Sequence, residues 1–157
     1  MGDKVVIRAS DESEPIWMLG GLYEIKVAGE DTGGAASVVQ MTVPEGAGPP
    51  PHIHSGGEIT YIIEGTALYQ YNGEKREARA GTVLYFPKGT VETFEPVGAT
   101  PLKVLSIYMP GGIDKFFGEA GEPAARREVP PAMTSAPDLA RLAEIGSRYG
   151  LELQAPS

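Results

Sequence analysis

A chain of 157 residues with 41% hydrophobic and 22% charged side chains has the composition of one globular domain with a real core. Its net charge of -8, with no run of lysine or arginine, excludes a nucleic-acid partner from expectation. The lack of any cysteine excludes disulfides, thiolate ligands and a cysteine nucleophile, as befits a reducing compartment.

Residues 1–20 read as an N-terminal arm in which "KVVIR" predicts a short edge strand, broken by "DESEP". The opening "MGDKVVIRAS" lacks the apolar stretch of a signal peptide. No apolar run approaches the roughly 18 residues of a membrane helix, so a cytoplasmic protein with no membrane partner is expected. Because an edge-strand arm invites pairing with a second subunit, a homodimer is the expected assembly.

Residues 21–110 repeat short β-prone runs between turn residues: "LYEIKVA", "ASVVQMTV", "ITYIIEG", "TALYQY", "TVLYFP", "VETF" and "LKVLSIYM". This spacing, with 21 glycines and 14 prolines, predicts an all-β sandwich or barrel. Asn72-Gly73 inside "TALYQYNGEKREARA" predicts a type I′ hairpin, since both residues tolerate positive φ. Residues 111–157 read as a helical tail packed on the barrel. "IDKFFGEA" places Ile113, Phe116 and Phe117 on one helical face, and Ser135 with Asp138 predicts a capping box for a last helix ending near Gly150. The acidic stretches "DESEP" and "GED" are expected in solvated loops.

The chemistry concentrates in "PPPHIHSGGE", residues 49–58, which holds the only two histidines of the chain. His52 and His54 lie two apart and project from one face of a strand, a chelating arrangement that Glu58 can join after the flexible "SGG". Thr60 and Ile62 should share the face of Glu58, and Phe94 that of Glu92, which makes all three candidate pocket residues. Among the strand tyrosines Tyr61, Tyr69, Tyr71 and Tyr85, packing is the ordinary role, and Tyr85 is taken as a pocket candidate. Trp17, Met18, Phe116 and Phe117 are expected to serve packing.

These residues resemble the cupin family. Gly46, five residues, His52, Ile53, His54, three residues, Glu58, six residues and Gly65 meet every position of the first cupin motif. In "GTVLYFPKGTVE", Gly81, Pro87 and Gly89 meet the second motif, but Glu92 stands where that family has histidine. The wording around the motifs is similar to that of bacterial single-domain cupins compared with quercetin dioxygenases. The resemblance implies an all-β jelly-roll barrel with short C-terminal helices, one divalent metal (iron, manganese, nickel or zinc) and a small-molecule substrate.

Glu92 leaves three readings open. It ligates in place of imidazole beside His52, His54 and Glu58; or those three form a facial triad and Glu92 is a nearby acid or base; or no metal is held and Glu58 and Glu92 transfer protons as a pair. A metal-dependent dioxygenase acting on an enol or phenol is the leading expectation, with Glu58 and Glu92 as catalytic groups. A non-redox cyclase, isomerase or lyase is the alternative, and a non-catalytic ligand-binding cupin the third.

Overall fold

Alternation of apolar and polar side chains builds two facing sheets in a computed structural model that describes residues 3–154. In chain order the strands are β1 (Pro15–Met18), β2 (Gly21–Val27), β3 (Ser37–Val43), β4 (His52–His54), β5 (Gly57–Glu64), β6 (Thr66–Tyr71), β7 (Glu74–Arg79), β8 (Val83–Phe86), β9 (Glu92–Val97) and β10 (Leu102–Met109). They are followed by helix α1 (Ile113–Ala120), β11 (Glu122–Pro123), helix α2 (Leu139–Ser147) and β12 (Leu151–Leu153). One sheet has the order β11-β1-β2-β3-β10-β5-β8, the other β12-β4-β9-β6-β7, and every pairing is antiparallel.

The core lies between the sheets. Every second residue of β3 is buried, and β10 does the same with Leu102, Val104, Ser106 and Tyr108. On β5 the buried set is Glu58, Thr60 and Ile62. The β6–β7 hairpin turns on Asn72 (φ 48°) and Gly73 (φ 83°), the conformation that the dipeptide was chosen to supply. Gly65 closes the β5–β6 turn at φ 85°, where a Cβ would stand 2.7 Å from the Pro101 carbonyl oxygen.

The flanking segments differ from expectation in detail. "KVVIR" forms no strand: Val5 and Ile7 are 89% and 91% exposed, and Lys4 instead pairs with Asp31 through its backbone N–H (3.1 Å to the carbonyl) and its ammonium (3.2 Å). The strand that enters the sheet from this region is β1, which begins at Pro15, the last residue of "DESEP". Nor are the acidic loops simply solvated. Asp31 is buried, held by Lys4, Arg8 and the Ala28 N–H, and these contacts lower its pKa, the backbone hydrogen bond most. Ser13 is buried against Lys26 and Arg127.

The tail contributes strands as well as helices. β11 extends one sheet beside β1, and β12 extends the other beside β4. α1 buries Ile113, Phe116 and Phe117 as its periodicity requires. α2 begins later than the capping box predicted: Asp138 is itself the N-cap, its side chain accepting from the Arg141 N–H, and Ser135 stays outside the helix. Leu142, Ile145 and Gly146 form its buried face while Leu139, the first helical residue, is exposed. No helix among the described residues is long and apolar enough to cross a membrane.

Candidate metal centre

Strand β4 is only three residues long, yet it is held on both sides. His52 pairs with Glu92 of β9, while His54 and His52 pair with Leu151 and Leu153 of β12. The prolines before it have no N–H to donate, and their carbonyls do the anchoring. The Pro49 oxygen accepts from Thr93 Oγ1 (2.8 Å), the Pro51 oxygen from the Gln154 N–H (2.8 Å), and the Pro50 oxygen faces His52 Nδ1 at 3.0 Å. With Nδ1–H donating to that carbonyl, Nε2 carries the lone pair and points into the barrel.

Four side chains meet there. His52 Nε2 lies 3.3 Å from Glu92 Oε1, His54 Nε2 lies 3.8 Å from the same oxygen, and His54 Nε2 lies 3.4 Å from Glu58 Oε2. Ligand atoms about 2.1 Å from one cation stand about 3.0 Å apart at a right angle and about 3.4 Å apart at the tetrahedral angle. Those separations bracket most of what is seen. His52, His54 and Glu92 offer ligand atoms all within 4.8 Å of one another, and Glu58 joins through His54. Glu58 Oε2 is buried without a hydrogen-bond partner, although a buried acceptor is normally satisfied. Two imidazole nitrogens and two carboxylates, one with an orphaned oxygen, fit a divalent cation.

Electrostatics point the same way. Burial pushes the Glu58 carboxyl up to about 8, with the Glu92 charge adding to it, and burial also raises Glu92. Burial lowers His54 to about 4 and lowers His52, so both imidazoles are neutral near pH 7, the state in which a metal binds them. Tyr69 and Tyr108 are raised by burial and by the two carboxylates, and both keep their phenolic protons.

The cluster sits in a small cavity of about 60 Å³. Apolar walls come from both sheets and the tail: Met18, Tyr23, Met41, Phe94, Phe116 and Phe117 among them, with Leu142 and Leu151 beyond. Among the described residues no lysine or arginine lines it. Thr60 and Phe94 line the cavity, whereas two pocket expectations are corrected. Ile62 shares the face of Glu58 but is packed into the core with no exposure and does not reach the cavity. Tyr85 is 62% exposed, because Phe86 pairs with Glu58 and takes the inward position, leaving Tyr85 on the outer face. Met18, Phe116 and Phe117, assigned to packing, line the cavity too. Tyr23, Ser106 and Tyr108 were missed. The signal for Ser106 was present: it interrupts the apolar inward set of β10 with a hydroxyl.

Comparison with known proteins agrees with this architecture. Residues 39–108 match the family model described as the cupin domain. An uncharacterised protein of Methanocaldococcus jannaschii is 36% identical over 75 residues, 47% of this chain and 60% of that protein, so the chain spans about three fifths of its length. An RmlC-like cupin from Shewanella frigidimarina superposes with a TM-score of 0.62 at 16% identity, covering 73% of this chain and 99% of that one. KdgF from Halomonas sp. gives 0.62 at 22% identity over 70% and 99% of the two chains. A protein of Thermotoga maritima described as a predicted oxalate decarboxylase gives 0.59 at 27% identity over 67% and 99%. The matched segment holds all four clustered side chains and most of the barrel, and over it the chain is similar to cupin domains.

Proposed function

We propose that this protein is a metal-dependent enzyme acting on a small, largely apolar molecule through an enol or phenol oxygen, most simply as a dioxygenase. The observation that carries the reading is the convergence of His52, His54, Glu58 and Glu92 at the polar end of an otherwise apolar cavity. The two imidazole Nε2 atoms and the two carboxylates would hold the metal. When bound, a redox-active divalent metal supplies a Lewis-acidic contact for the substrate oxygen and the electron transfer that dioxygen chemistry needs.

The chain's own groups account for binding and proton transfer. Phe94, Phe116, Phe117 and Met41 exclude water and favour a flat, uncharged substrate. With no cationic side chain among the described lining residues, an anionic substrate would find no counter-charge from the protein. Before a cation binds, the carboxyl pair holds a proton on Glu58 near neutral pH, pushed up to about 8; that proton leaves when both carboxylates hold the metal, and Glu92, which lines the cavity, is the group placed to accept the substrate O–H proton.

The raised Glu58 also favours a second reading, in which the pair shuttles a proton α to a carbonyl as an isomerase or lyase with no net redox change. Metal analysis of the protein purified without additives, followed by oxygen uptake with flavonol-type substrates, tests the first reading. Stoichiometric metal and oxygen uptake are expected. Deuterium exchange into a carbonyl substrate without oxygen uptake would replace that reading with the second, and absence of metal together with failure to take it up would overturn the metal-dependent proposal.

A further inference from the structure

Behind the metal centre lies a chain of hydroxyls that the acid–base chemistry does not use. Thr60 Oγ1 donates to Glu58 Oε1 at 3.0 Å and lies 2.8 Å from Ser106 Oγ. Glu58, Thr60 and Ser106 are 8%, 3% and 1% exposed, so water cannot readily substitute for any of these contacts. A threonine hydroxyl has one proton. When Glu58 is ionised, as it is once a cation is held, that of Thr60 goes to the carboxylate, and Ser106 is then the donor to Thr60.

The backbone fixes its geometry. Ser106 and Thr60 are register partners across β10 and β5, and Glu58 is the next inward residue of β5, directly opposite Tyr108. Their inward neighbours on the same strands, Val104 and Ile62, are fully or nearly fully buried and apolar. Two buried hydroxyls in that setting are not explained by packing, since an aliphatic pair would fill the space without needing polar partners. Their effect is on the carboxylate. Binding Oε1 stops the carboxylate from turning and leaves Oε2, the buried oxygen with no hydrogen-bond partner, facing His54 Nε2 at 3.4 Å.

We infer that Ser106 and Thr60 are positioning residues that hold Glu58 to one coordinating oxygen and thereby set the affinity and ligand field of the metal centre. The inference rests on the metal-binding reading above. Without the Thr60 hydroxyl, Oε1 loses its donor and the carboxylate is free to rotate or to bring both oxygens to a cation.

The test uses cobalt(II) as the probe, bound to the full-length protein and to T60V, T60S and S106A, with affinity measured by competition against a chromogenic chelator. The visible d–d absorption of the bound cobalt is recorded alongside. T60V, close in shape to threonine, is expected to lose about 10–100-fold in affinity, the range seen on removing an outer-shell partner, and to change the d–d spectrum. T60S keeps the hydroxyl and should retain both affinity and spectrum. S106A removes the donor to Thr60 and should give a smaller shift in the same direction, a readout that survives if T60V folds poorly. Unaltered affinity and spectrum in folded T60V or S106A would overturn the positioning role while leaving the metal reading standing. Failure of the unsubstituted protein to bind cobalt(II) would overturn both.

Discussion

His52 of β4 and Glu92 of β9 are register partners, and the imidazole Nε2 stands 3.3 Å from the carboxylate Oε1. Glu92 therefore closes on His52 and His54 from the neighbouring strand. That placement makes Glu92→His and Glu92→Leu informative. The first is expected to keep a divalent metal while changing which metal is preferred. The second should weaken metal binding by at least the roughly 10–100-fold typical of losing an outer-shell partner, measured by calorimetric titration with zinc.

Stability of the metal-free protein should fall as pH rises from 6.5 to 8. Glu58 ionises near 4.5 when unfolded and at about 8 in the fold, so between those values the unfolded chain releases a proton that the folded one keeps. The folded state then loses stability with rising pH and levels off above 8. His54, at about 4 in the fold against 6.5, works the other way, its contribution growing from pH 4 to 6.5 and complete above that. Only the carboxyl effect remains in the upper window. Urea unfolding across that window should show the decline, and Glu58→Gln should remove most of it. Metal uptake releases the Glu58 proton, so the rise in melting temperature on adding zinc should be larger at pH 8 than at pH 5.

Ile62 and Tyr85 separate core from surface. Ile62→Ala, at a site with no exposure, should destabilise by about 2–5 kcal/mol in chemical denaturation. Tyr85→Ala, at a site 62% exposed, should stay within about 0.5 kcal/mol and leave metal affinity unchanged.

Arg127 ties the segment between the helices to the back of the larger sheet. Its guanidinium lies 2.7 Å from Glu24 Oε1, and Glu24, buried at 3% exposure, also accepts from Gln40 Nε2 at 3.1 Å. Arg127→Ala should cost about 1–3 kcal/mol. The value stays below that of a fully buried pair because 32% of the Arg127 side chain is exposed and Lys26 remains 3.7 Å from Glu24. Adding Glu24→Gln should recover part of the loss in a double-mutant cycle.

Much of this protein could be read from local sequence because it depends on local rules. Alternation set the inward faces of β3, β5 and β10, Asn72-Gly73 specified its hairpin, and the His52, His54 and Glu58 spacing marked one half of the centre. What local rules could not supply is which distant strands meet. Only tertiary pairing set Glu92 opposite His52, locked β4 with β12 from the far end of the chain, and brought Ser106 to Thr60. Tyr85 shows the limit from the other side: a single-residue phase in β8, fixed by the pairing of Phe86 with Glu58, decides whether a tyrosine lines a cavity or faces water. The same holds for Phe116 and Phe117, whose helical spacing gave α1 its apolar face but not what that face covers. Spacing along the chain determines which side of an element is apolar, and long-range packing alone decides whether that side meets core, ligand or solvent.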